Sequence, residues 1–127
     1  MNALQDKVVL ITGAGRGIGR GHALTLAREG ASVVVDDRGG ADADSDKRVS
    51  DEVVELITDA GGCAVADYSD VSTWAGAQAA VQTGIDAYGR LDGLVNNAGV
   101  LLNTDFVSCT EEQFDIVMNV HVKATFA

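Results

Sequence analysis

Lys7-Val8-Val9-Leu10-Ile11-Thr12-Gly13-Ala14-Gly15-Arg16-Gly17-Ile18-Gly19 is the stretch on which the fold turns. Its first six residues, Lys7–Thr12, are a β-branched apolar run, short enough for a strand buried on both faces. The glycines then make a turn. Beyond it a helix is predicted from Gly17 to Glu29, with Ile18, Ala23, Leu24, Leu26 and Ala27 on a broad apolar face and Gly30 where a helix stops. Small residues suit the turn for three physical reasons. The backbone needs unusual dihedrals, it must come close to a bound phosphate, and the helix must lie close to the strand. The helix start then aims N–H groups and the positive end of its dipole at an anion.

Outward from this unit the pattern repeats. Ser32–Asp36 reads as a second buried strand, and residues 39–47 as a polar, flexible loop. Val49–Ala60 reads as a helix closed by Gly61 and Gly62, and Cys63–Ala66 as a third strand. Thr73–Tyr88 is a helix ended by Gly89, and Leu91–Asn96 a fourth strand. Thr110 opens a fourth helix, where Gln113 completes a capping box, and that helix is expected to run unbroken to the end of the chain. The order is β-α-β-α-β-α-β-α. Right-handed crossovers then imply an α/β fold with a parallel sheet covered on both faces. With Rossmann-type doubly wound winding the strand order is expected to be 3-2-1-4, in one truncated, partial nucleotide-binding domain over residues 1–127.

Composition narrows the function classes. The chain has 127 residues, 46% hydrophobic and 22% charged, which suits one globular domain. Its formal net charge is −10 and its nine Lys and Arg are scattered, which disfavours a nucleic-acid partner. Apolar runs such as Val33-Val34-Val35 are far too short to span a membrane. The N-terminus shows no basic region followed by an apolar core, so it does not read as a secretory signal. Cys63 and Cys109 lack metal-ligand spacing and read as reduced thiols of a cytoplasmic protein with no metal site. Proline is absent, and the sequence offers no account of that.

The turn reads as a dinucleotide site, with an ordinary tight turn as the competing reading. The preceding strand, the following helix and the acidic residue after the second strand favour the dinucleotide. Asp37, at the end of that strand, can accept hydrogen bonds from the adenosine ribose hydroxyls and repel a 2′-phosphate, so NAD is preferred over NADP. Asp36 competes for this role but is expected to lie within the strand. Arg38 and Arg16 are guanidiniums that could instead greet a 2′-phosphate.

The Gly13-x-x-x-Gly17-x-Gly19 spacing, together with Asn96-Asn97-Ala98-Gly99 after the fourth strand, resembles the short-chain dehydrogenase/reductase family along the whole chain. The resemblance implies that the turn, from Gly13 through Ala14, Gly15, Arg16, Gly17 and Ile18 to Gly19, holds the pyrophosphate. It implies that Asp37 holds the ribose, that Asp70 and Val71 contact the adenine, and that Asn97, Ala98 and Gly99 pass the ribose side of the cofactor. Val33–Val35, Asp37 and the Gly39-Gly40 pair resemble the branch containing the (3R)-hydroxyacyl-CoA dehydrogenase unit of multifunctional enzymes. His121 stands where most of the family carries the Asn of a catalytic tetrad, and that branch often has His there. A polar helix residue is the bland alternative for His121, and His22 reads as structural.

The family's chemistry, by the same resemblance, is hydride transfer between a nicotinamide and a secondary alcohol or ketone, an acyl-CoA thioester being one candidate substrate. It needs a Ser and a Tyr-x-x-x-Lys. Tyr68 and Tyr88 are followed at that spacing by Ser72 and Asp92, so neither qualifies. The residues are therefore expected to bind cofactor without turning over substrate. The fourth strand is expected to leave an open edge and a bare apolar face, and the longer form to be a homo-oligomer. Leu101, Leu102 and Phe106 either line one wall of a substrate pocket or pack. A non-catalytic nucleotide-binding module and an inactive remnant are the competing functional readings.

Overall fold

The computed structural model describes residues 2–39 and 47–127. Most of the loop expected to be flexible therefore lies outside the described residues. Four parallel strands form one sheet: β1 (Val8–Thr12), β2 (Ser32–Asp36), β3 (Cys63–Asp67) and β4 (Gly93–Val95), in the order β3-β2-β1-β4. Helices α1 (Gly17–Arg28), α2 (Val49–Asp59) and α3 (Trp74–Tyr88) make the crossovers. α4 (Glu111–Met118) follows β4. The predicted order and alternation are both present.

The inner strands β1 and β2 carry runs of apolar side chains on both faces, and helices cover both. Val9, Ile11, Val33 and Val35 pack with Ala23, Val53 and Ile57 under α1 and α2. Leu10 and Val34 face the other way, against Val71 and Ala80 under α3. Each fully buried aliphatic side chain here contributes about 1.5–3 kcal/mol. Register is fixed by the same pattern, Val9 beside Val33 and Ile11 beside Val35, since a one-residue slip would exchange the two faces.

Two predicted elements differ. β4 is shorter than Leu91–Asn96 because side chains take over the backbone at both its ends. The Asp92 carboxylate accepts from the Val8 amide at 2.9 Å, and the Asn97 amide turns to Thr12 Oγ1 at 3.2 Å. The fourth helix is also interrupted. After α4 the chain winds as a π-helix over Asn119–Lys123, with the Ala124 amide bonding the Asn119 carbonyl, and returns to α over Ala124–Phe126 (α5). The β-branched Val120 and Val122 lie within the wide turn, and Thr125 Oγ1 donates to the His121 carbonyl at 3.0 Å. Its start obeys the capping box: the Gln113 amide donates to Thr110 Oγ1 at 3.2 Å, and Gln113 Oε1 accepts from the Thr110 amide at 3.0 Å.

Among the described residues β4 pairs only with β1, its Leu94 is 46% exposed, and Phe114, Val122 and Phe126 on the C-terminal helical segments are exposed too. The open edge and bare face are therefore present. No helix of the described residues is long and apolar enough to cross a membrane.

Candidate cofactor site

The turn from β1 into α1 is built from glycines that nothing larger can replace. Gly13 and Gly17 have φ of +64° and +54°, the left-handed region. A Cβ on Gly19 would sit 2.3 Å from the Gly13 carbonyl and 2.5 Å from Asn97 Nδ2. On Gly15 it would meet Val49 Cγ2 at 2.3 Å. The helix therefore begins hard against the strand end, and no side chain of Arg16, the residue before it, caps its first turn. α3 and α4, in contrast, are capped by Thr73 and Thr110. Uncapped amides at a helix start are a site for an anion.

The turn is anchored from the strand side. The Ala14 amide donates to the Asp36 carbonyl at 2.8 Å. Asp37 Oδ2 accepts from the Gly15 amide at 3.0 Å and Oδ1 from the Gly39 amide at 2.8 Å. A carboxylate has about four acceptor positions, so Asp37 keeps acceptor capacity for a ligand. From β4, Asn97 Nδ2 donates to the Thr12 and Gly13 carbonyls, both at 3.0 Å, and Thr12 Oγ1 accepts from the Ala98 amide at 3.0 Å. Asn97 is thus a clamp between the ends of β1 and β4.

A cleft of about 570 Å³ opens at these strand ends. That is within the usual range for a small-molecule site, and the C-terminal edge of a doubly wound sheet is where such sites occur. Of the predicted residues, Gly13, Asp37, Asp70, Val71, Asn97, Ala98 and Gly99 line it. Ala14, Gly15, Arg16, Gly17, Ile18 and Gly19 form the turn and helix start but not the cleft wall, and Ile18 is 75% exposed. Asp70 is held below the usual carboxylate range, chiefly by the Ser72 hydroxyl, against the opposing effect of burial and with help from the Ser72 amide and Arg38. Arg38 reaches across to it, Nη1 to Oδ2, at 2.8 Å.

His121 does not line the cleft. Its Nε2 lies 2.9 Å from the Val100 carbonyl oxygen and 3.1 Å from the Val100 nitrogen, donating to the first in one tautomer or accepting from the second in the other. Gly99 permits this, because a Cβ there would fall 2.9 Å from the ring. The ring therefore fastens the segment after Gly99 to the π turn, whose Asn119 and Val120 do line the cleft.

Sequence reasoning missed Ile116, Asn119 and Val120, which line the cleft from α4 and the π turn and belong to no motif. It also missed the Arg38–Asp70 pair, which joins residues far apart in the chain. The sequence places Asp36 within the second strand rather than at the cofactor. It does lie in β2, yet it lines the cleft too.

The family profile described as short chain dehydrogenase matches residues 7–127. The peroxisomal multifunctional enzyme A of Dictyostelium discoideum is 44% identical over 96% of this chain and 27% of that relative. The peroxisomal hydratase-dehydrogenase-epimerase of Saccharomyces cerevisiae is 43% identical over 94% of this chain and 13% of the relative. A crystal structure of a short chain dehydrogenase from Mycobacterium avium superposes with a TM-score of 0.91 at 46% identity, over 98% of this chain and 45% of that one. The chain spans less than half the length of the curated relatives it matches. The resemblance to the multifunctional-enzyme branch is thus present over the N-terminal part of those proteins. Matched by the profile along nearly its whole length, the chain belongs to the short-chain dehydrogenase family of oxidoreductases.

Proposed function

We propose that the chain is the cofactor-binding portion of an NAD-dependent oxidoreductase that moves hydride between a nicotinamide and a secondary alcohol or ketone. The observation that carries this is the Asp37 carboxylate on the cleft wall, tied to the Gly15 amide beside the uncapped start of α1. The adenosine ribose rests on Asp37, the diphosphate on the amides of the turn, and the adenine between Asp70 and Val71. Asn97, Ala98 and Gly99 flank the path toward the nicotinamide. Preference for NAD over NADP is supported by the Asp37 charge and by the engagement of Arg38 with Asp70, which leaves less of that guanidinium for a 2′-phosphate.

The small-molecule substrate we propose is a 3-hydroxyacyl-CoA. The multifunctional relatives support this, one of them named as a dehydrogenase. Residues 1–127 alone do not turn it over, because neither Tyr68 nor Tyr88 is followed by the required Lys. His121, which reaches Val100 rather than the cleft, acts in this reading on the position of Val100. In the longer form the protein is a homo-oligomer, which the exposed Phe114 and Val122 support. The compartment is cytoplasmic. The word peroxisomal in the relatives' names supports the peroxisome as a second reading.

Calorimetric titration of NAD and NADP into the chain tests the cofactor half. NAD is expected to bind more tightly than NADP, and Asp37→Ala to remove that preference. Equal NAD affinity in both proteins would take Asp37 out of this role.

A further inference from the structure

Asp36 closes β2 on the face that holds Leu10 and Val34. It is 2% exposed, and its Oδ1 is buried with no hydrogen-bond partner among the described residues. It lines the cleft beside Gly13 and Asp37. A buried carboxylate with one oxygen left unpartnered is a costly object, and the neutral acid is the cheaper form.

Its register partner on β3 is Asp67. Asp67 is differently served: Oδ1 accepts from the Ser69 amide at 3.0 Å and Oδ2 from the Thr83 hydroxyl at 2.6 Å. Burial opposes ionisation of Asp67, but Thr83 and Ser69 overcome it and hold the carboxyl below its ordinary value. Asp36 goes the other way. Burial, reinforced by Asp67 and Asp37, pushes it up to about 8, and the Gly13 backbone pulls back only in part. The groups facing it are Asp67 from β3, Asp37 from its own strand end, the neutral Thr83 of α3 and the backbone of the β1 turn. The strongest charges acting on it are both negative.

We propose that Asp36 is a positioning residue of the cofactor site that carries a proton in the neutral chain, donating it to Asp67 across the β2–β3 ladder, so that the floor of the cleft meets an anionic dinucleotide without a further negative charge. This rests on the cofactor reading given above. Loss of that proton sets two buried carboxylates against each other at the end of β2. The Asp36 carbonyl there is what anchors the Ala14 amide of the turn, at 2.8 Å. The Asn amide of Asp36→Asn can donate to Asp67 in the same way and cannot ionise.

NAD affinity measured by calorimetry from about pH 6 to about pH 9, on the chain and on Asp36→Asn, tests this. Affinity of the unaltered chain is expected to fall about fivefold or more on the alkaline side, while Asp36→Asn stays flat. Parallel profiles in the two proteins overturn the coupling and leave the cofactor reading standing. Carboxyl-carbon NMR of the ligand-free chain is the second measurement. One Asp signal is expected to titrate near pH 8 and to vanish in Asp36→Asn. Titration of every Asp below about pH 5 overturns the proton assignment. Absence of NAD binding in both proteins at every pH, with that signal present, overturns the cofactor reading and the coupling while supporting the proton on Asp36.

Discussion

Asp37 is held by two backbone amides before any ligand arrives, so its geometry is preorganised. On the proposed cofactor reading, removing it deletes a charge-assisted hydrogen bond to the ribose, and it frees the Gly15 amide. Asp37→Ala is expected to weaken NAD by about 1.5–3 kcal/mol, more than tenfold in Kd, as read by calorimetry. Gly19 makes a prediction of a different kind. Its absent Cβ leaves room for the Gly13 carbonyl and Asn97 Nδ2, so Gly19→Ala forces the helix off the strand end. A loss of about 1–3 kcal/mol in urea unfolding is expected, together with weaker NAD binding. These glycines were legible in the sequence because few other residues suit such a turn. The proton on Asp36 was not, since it depends on a strand partner 31 positions away that no local pattern announces.

Elements were legible where their signals are local. The capping box of α4 needs only Thr110 and Gln113, and both its hydrogen bonds form. Thr110→Ala is expected to cost about 0.5–2 kcal/mol and to fray α4 by hydrogen exchange without touching the turn. The π turn after Met118 was not legible. An apolar period that fits an α-helix tolerates one extra residue per turn, and the cause lies partly in a distant contact, His121 with Val100. His121→Ala removes the contact that fastens Val100. A change confined to the Gly99–Val100 and Asn119–Val120 region is expected in amide chemical shifts. Shifts spread through β2 and β3 would contradict it.

For the whole molecule, alternation and handedness gave the parallel sheet, and Rossmann winding, indicated by the glycine turn after β1, gave its strand order. What alternation does not reveal is the balance of charge at the sheet's end. Asp67 and Asp70 sit below their ordinary value when folded, so their contribution is present near neutrality and lost as pH falls through the folded values. Asp36 has the opposite sign. Its folded value of about 8 exceeds the ordinary 3.8, so its contribution is full at low pH and is lost as pH rises through about 8. Urea unfolding across pH is expected to show stability falling on the acid side as Asp67 and Asp70 take up protons, and a second decline from about pH 4 to about pH 8 that Asp36→Asn lacks.

The most direct measurement is a crystal structure of the chain soaked with NAD. Diphosphate density against the amides of Gly17 to Gly19 at the start of α1, with the adenosine ribose on Asp37, is the expected result. A cleft that stays empty at saturating NAD, or a dinucleotide bound elsewhere on the molecule, would contradict it.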